Sequence, residues 1–409
     1  MPSTPDRHFA VWLNKERVGT IHSRQDYTWF EFARDYLSDP NRSVLGLQFE
    51  QDLNARHSAN MRLPPWFSNL LPEGRLRDWV AEARGVSPDR EIELLAQVGF
   101  DLPGAVRVTE SESEPIPTSP LREVIARPEI SASESLWRFS LAGIGLKFSM
   151  LAKDDRFSAP AVGDGGDWIV KLPDPKFPNV PQNEFLMMTL AARIGLDVPP
   201  VRLVHREELD LPEGVWPTGE HEAYAVRRFD RTVDKARVHI EDFAQVRGLY
   251  PSDKYAGTFE TLASLVYRRR DLSSLVEFVR RLAFNVVIGN GDAHLKNWSL
   301  IYVNPRIPRL SPAYDLVSTA IYRPKHLPED LGLKFGGSRR LDTVTIATFA
   351  SLQAKLSVTG VRLDDEARAM AASVRACWPE VASAAPTRGN IAGQIGLVIE
   401  ERLKRLLRE

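Results

Sequence analysis

In the run IGNGDAHLKNWSLIY, residues 288–302, Asp292 and Asn297 form an Asp-x-x-x-x-Asn arrangement. The spacing suits phosphoryl transfer. The Asp can face an attacking hydroxyl and accept its proton, and the Asn can turn back to hold a metal ion on the phosphates. A polar loop after a helix would use the same turn formers, Asn, Gly and Asp. The next residues favour chemistry: an apolar run from Trp298 to Val303, a Pro-containing turn, then LSPAYDLVS with a second carboxylate, Asp315. Asp315 alone would read as a turn or cap residue. Two carboxylates and a carboxamide converging through loop, hairpin and loop can neutralise a triphosphate through Mg²⁺, a hard cation that prefers oxygen ligands.

Other residues fit the same chemistry less specifically. Lys171, in DWIVKLP, ends a strand-like run, where a phosphate-contacting lysine would stand. A solvated strand lysine is the plainer reading. Glu184, on the helix expected next, could pair with it. In FSLAGIGLKFSM, Gly143 and Gly145 could lay backbone N–H groups against phosphates, but Phe148 stands where a Gly-x-Gly-x-x-Gly motif needs its third glycine. VRRFDR, with Arg228, Phe229 and Asp230, reads as a connector between lobes whose backbone could receive adenine, or as a charged edge strand. His294 is expected to order its loop by hydrogen bonding rather than to act as ligand or base. The sequence contains neither clustered zinc ligands nor a Gly-x-Ser-x-Gly nucleophile elbow.

These residues need a scaffold. Phe9 to Leu13 and Val18 to Ile21 alternate around Asn14-Lys15-Glu16, an opening hairpin. Helical spacing is expected over Trp29 to Tyr36 and Glu73 to Ala83, and a short strand over Ala105 to Val108. ESESEPIPTSP, residues 110–120, reads as a linker. Beyond it come strands at Trp137 to Leu141, Trp168 to Leu172 and Tyr224 to Arg228, with a helix at Asn183 to Ile194 among them. From Ile240 the pattern turns helical: Thr258 to Tyr267, Leu272 to Val287, Leu341 to Leu356, Asp364 to Cys377 and Ile391 to Leu407. The division is 1–110, a small nucleotide-binding lobe at 121–235, and a helical catalytic lobe at 236–409.

A chain of 409 residues can build such a multi-part core. Its 53 basic against 54 acidic side chains recruit neither nucleic acid nor an anionic membrane, so DNA association would need a partner. A single cysteine, Cys377, excludes an internal disulfide and fits a reducing compartment, the cytoplasm. The N-terminus lacks a basic stretch leading into an apolar run, and no long apolar segment predicts a membrane span.

NLLPEG at 69–74, SLAGxxxK at 140–147, WIVKLP, NEFLMMTLAARIGLDVP, AVRRFDR, EDFAQVRGLYPSDKY, GNGDAHLKN and LSPAYDLVS together resemble the HipA-like serine/threonine kinases of bacterial toxin–antitoxin modules. The resemblance implies an α+β, two-lobed protein-kinase-like fold. It casts Asp292 as catalytic base, Asn297 and Asp315 as Mg²⁺ ligands, Lys171 as ATP-binding lysine and Ser140 as an autophosphorylated serine. It also implies a translation component as substrate, such as an aminoacyl-tRNA synthetase, and a small DNA-binding HipB-like antitoxin as partner. One departure is Gly145, where the family commonly has glutamine. Two other functions share much of this pattern: a kinase-fold co-repressor with little catalysis, and a small-molecule phosphotransferase.

Overall fold

The computed structural model describes residues 6–111, 123–125, 147–153, 156–158, 165–211, 214–324, 327, 329–385 and 390–408. Ser140, Gly143, Gly145 and the strand expected over Trp137 to Leu141 lie outside them.

The first sheet grows from the opening hairpin. Arg7–Leu13 and Glu16–Arg24 pair antiparallel, and Asn14 at the turn takes φ of 56°, which its short polar side chain tolerates. The helix expected from Trp29 is instead a strand, Tyr27–Phe32, followed by a short helix, Arg34–Ser38. Thr28, Phe30 and Phe32 alternate inward with period two, and the strand is paired on both sides, by Glu16–Arg24 and by Arg56–Asn60. Val106–Ser111 closes one edge, and Glu123–Ile125 joins the other in parallel. A segment expected in the second unit therefore extends the first sheet. Phe30, Phe49, Trp66, Phe67, Leu94 and Leu95 fill this sheet's own core, each fully buried large side chain contributing about 1.5–3 kcal/mol of transfer free energy.

The second sheet runs Val201–His205, Glu222–Arg227, Trp168–Lys171, Lys147–Lys153, Arg156–Ser158, every neighbour antiparallel. Helix Val180–Arg193 packs on two of these strands, as the sequence predicts within a few residues.

The C-terminal part is mainly helical: Phe259–Tyr267, Leu272–Val287, Ile346–Leu356, Leu363–Ser383 and Ile391–Leu406. Leu275, Phe278, Val279, Leu282 and Val286 give Leu272–Val287 a fully apolar stripe, and the Asp271 side chain caps its start by accepting from Ser274 N at 2.9 Å. Gly289 ends it at φ 68°, where an added Cβ would lie 2.7 Å from Val398 Cγ1 and 2.8 Å from Ala320 Cβ. The loop carrying Asp292 thus starts from a fixed point. A three-stranded sheet, His239–Asp242, Ser299–Asn304 and Ile307–Leu310, supports the far end of that loop. Among the described residues, no helix is long and apolar enough to cross a membrane.

The first domain is docked on this part through buried polar contacts. Glu241, with no exposed surface, accepts from Leu47 N, Trp66 Nε1 and the Tyr302 hydroxyl. Asn69 Nδ2 donates to Leu249 O at 2.7 Å.

Candidate active site

Three segments distant in sequence meet at Lys171. Its strand ends there, paired with Tyr224 on one side and Lys147 on the other. Lys171 Nζ lies 2.6 Å from Glu184 Oε1 and 2.5 Å from Asp315 Oδ1, and 5.6 Å from the centre of the Tyr224 ring. The expected Lys171–Glu184 pairing is therefore present. Burial would raise the Asp315 carboxyl, but Lys171 pulls it down to about 2. Glu184 is pushed up by its burial, against the pull of the same lysine. Asp315 also takes φ of 59°, a left-handed conformation that aspartate, like Asn14, tolerates better than most residues with a Cβ.

The residues of the Asp292 loop are braced by one another. Asn285, in the helix, donates to Arg281 O and accepts from Asn290 Nδ2 at 2.7 Å. Asn290 Oδ1 accepts from Asp292 N at 3.0 Å, and Asp292 O accepts from His294 N and from Asn297 Nδ2 at 2.8 Å. The Asn297 amide nitrogen is thereby occupied within the loop, while its Oδ1 accepts no hydrogen bond among the described residues. Asn297, Asp315, Asn285 and Asn290 line one small pocket. Asn297 thus shares a pocket with Asp315, which in turn reaches Lys171 and, through it, Glu184.

One expectation changes. His294 does not order the loop through its ring: the ring is 1% exposed and neither nitrogen has a hydrogen-bond partner among the described residues, while its edge packs on Tyr255 at 5.1 Å. Burial holds its pKa down at about 3, so the ring is neutral. The loop is ordered instead by backbone and amide bonds. The side chains of Arg228 and Asp230, in the connector whose backbone was expected to receive adenine, are committed to buried ion pairs. Arg228 Nη2 lies 2.8 Å from Asp230 Oδ2, Arg228 Nη1 lies 3.0 Å from Asp101, and Arg231 bridges the same two carboxylates. This buried network ties the connector to the first domain, because Asp230 also accepts from Gly104 N at 2.7 Å. Phe229 between them points its ring at Tyr314, 5.5 Å away, and its backbone N–H and C=O carry no hydrogen bond among the described residues.

Several side chains around the site escaped the sequence reading. Tyr255 donates to Asp292 Oδ1 at 2.6 Å. Lys296 Nζ contacts Asp242 Oδ2 at 2.7 Å, Asn69 Oδ1 at 3.0 Å and Glu73 Oε1 at 3.6 Å. Lys254 Nζ lies 2.9 Å from Glu73 Oε2. Burial works to raise Glu73, yet Lys296 and Lys254 hold it at about 2. The only signal for these residues was their place in the NLLPEG, SDKY and HLKN runs, and periodicity carries no information about such long-range pairs.

The chain matches the model of the HipA-like C-terminal domain over residues 139–382 and that of the HipA N-terminal domain over residues 9–109. It belongs to the HipA family. Y4dM of Sinorhizobium fredii, provisionally named a kinase, is 41% identical over 398 residues, covering 94% of each chain. The serine/threonine-protein kinase toxin HipA of Shewanella oneidensis is 29% identical over 329 residues, covering 73% of this chain and 72% of that one. A chain in the solved complex of HipA, HipB and operator DNA from Shewanella oneidensis superposes with a TM-score of 0.73 at 22% identity, covering 97% of this chain and 96% of its own. The fold is the α+β, two-lobed kinase-like fold of HipA, and the protein is a HipA-like kinase.

Proposed function

We propose that the chain is an ATP- and Mg²⁺-dependent serine/threonine protein kinase that serves as the toxin of a toxin–antitoxin module in the cytoplasm. The observation that carries the reading is Lys171 held between Glu184 and Asp315 beside the Asp292 and Asn297 loop. The donors suit a hard divalent ion: an ionised Asp315 carboxylate and the Asn297 Oδ1, which its own loop leaves unbonded. Held by these two residues, Mg²⁺ would supply charge neutralisation for the phosphates.

Each residue then has a task. Glu184 fixes Lys171, which offers its charge to the phosphates. Asp292 accepts the proton of the attacking serine or threonine hydroxyl at its carboxylate. The amide ladder from Asn285 through Asn290 keeps the loop in register while the proton moves. The Phe229 backbone would receive adenine, and the glycine loop with Gly143 and Gly145 would cover the phosphates. Ser140 would be a site of autophosphorylation, adding about −1.5 to −2 charge near the triphosphate and so switching the kinase off.

A translation component, such as an aminoacyl-tRNA synthetase, is the substrate that the family resemblance supports. A small HipB-like antitoxin, carrying any DNA contact, is the partner, and the Shewanella HipA complex with HipB and operator DNA supports it. Incubating purified protein with labelled ATP, Mg²⁺ and a cell lysate tests the reading. Label on a discrete lysate protein supports a protein kinase. Label on small molecules alone, or none in any fraction, favours a small-molecule phosphotransferase or a co-repressor.

A further inference from the structure

A carboxylate that accepts a proton in a transition state must be aimed, and the Asp side chain has a soft, two-fold terminal torsion that does not aim itself. In this chain Asp292 Oδ1 is met by the Tyr255 hydroxyl at 2.6 Å, a short hydrogen bond to a charged acceptor. Fixing one oxygen fixes the direction of the other.

Tyr255 is itself gripped. Its ring packs edge-on against buried His294, and its C=O accepts from Arg339, whose Nη1 donates to Gly332 O at 2.8 Å. The preceding residue, Lys254, accepts from Leu295 N at 3.0 Å through its C=O and reaches Glu73 with its Nζ at 2.9 Å. Glu73 belongs to the first domain, at the edge of helix Gly74–Arg84, and it also faces Lys296 at 3.6 Å. One carboxylate from that domain therefore touches both lysines that flank the catalytic groups: Lys254 beside Tyr255, and Lys296 beside Asn297. Its strongly lowered pKa keeps it ionised for that contact at physiological pH.

We propose that Tyr255 is a positioning residue for Asp292, and that Glu73 sets Tyr255 through Lys254, so that the base is aimed only when the first domain is docked. The proposal rests on the reading of Asp292 as the base. It makes the first domain part of the active site's geometry. A partner that shifts that domain relative to the helical lobe would then change the rate without touching nucleotide.

The test uses the full-length protein with Mg²⁺-ATP, measuring phosphoryl transfer as kcat and ATP KM, with ATP binding by calorimetry as a check on folding. Tyr255→Phe keeps the ring against His294 and removes only the hydroxyl. It should lower kcat by about tenfold to a hundredfold and leave the ATP KM within about twofold. Glu73→Gln should lower kcat in the same way by a smaller factor, and the Tyr255→Phe/Glu73→Gln double variant should be no slower than Tyr255→Phe. In an Asp292→Asn background, Tyr255→Phe should have no further effect. If Asp292→Asn is crippled while Tyr255→Phe keeps wild-type kcat, the inference falls and the base assignment stands. If the Glu73 and Tyr255 effects multiply, the link through Lys254 is wrong. A wild-type rate in Asp292→Asn removes the base and the inference together.

Discussion

Replacing Asp230 with Ala removes the central acceptor of the network that joins the connector to the first domain. Its carboxylate accepts from Arg228 Nε at 3.0 Å and Nη2 at 2.8 Å, from Arg231 Nη1 at 2.8 Å and from Gly104 N at 2.7 Å. Asp230 is 4% exposed and each arginine 7%, so water cannot replace what is lost. Two guanidinium groups would be left sharing Asp101, which lies 3.0 Å from each. Removing one partner of a buried ion pair costs about 3–5 kcal/mol, because the remaining charge stays desolvated. At about 2–4 °C per kcal/mol for a cooperative unit of this size, the Tm should fall by about 10 °C. Scanning calorimetry measures this, with ATP binding of the folded variant measured alongside. If the Asp230 side chain instead contacts nucleotide, Asp230→Ala would keep its Tm within about 2 °C, the range of a surface substitution, and weaken ATP binding. That pair of results would refute the structural role of Asp230.

Asp292→Asn should leave ATP binding intact and lower phosphoryl transfer by about a hundredfold or more, and a wild-type rate would remove Asp292 from the mechanism. Asp315→Ala should weaken nucleotide binding only when Mg²⁺ is present, which calorimetry with and without the metal decides. Glu73 has a folded pKa of about 2 against 4.5 when unperturbed, so its stabilisation is full above about pH 4.5 and disappears as pH falls toward 2. Urea unfolding of wild type and Glu73→Gln should therefore differ near neutrality and converge in acid; a gap that persists down to about pH 2 contradicts the ion cluster. Gly332→Ala would push a Cβ to 2.6 Å from Ala293 C and 2.8 Å from His294 N, both backbone. It should lower kcat together with stability, and unchanged values of both would show that strand Asp330–Phe335 does not brace the Asp292 loop.

The chemical groups and most of the helices were legible in the chain alone. Asp292 and Asn297 are close in sequence, so their spacing already encodes the loop geometry, and the hairpin from Ser299 to Leu310 fixes where Asp315 must return. Leu272–Val287 was legible because its apolar stripe repeats with the helical period, and its bounds match the sequence reading. The family motifs pointed to the fold as well, some at strand ends, such as WIVKLP, and some along helices, such as NEFLMMTLAARIGLDVP. The remainder depended on tertiary contacts. Tyr27–Phe32 is a strand because neighbours on both sides complete its hydrogen bonds, a contribution absent from any local window. Arg228 and Asp230 lie in the expected connector run VRRFDR, and their side chains turn toward Asp101 and Gly104, more than a hundred residues away in the chain. The same holds for Glu73 and Tyr255: only folding brings the first domain against the catalytic loop, and only there do isolated charges become paired, desolvated and directional.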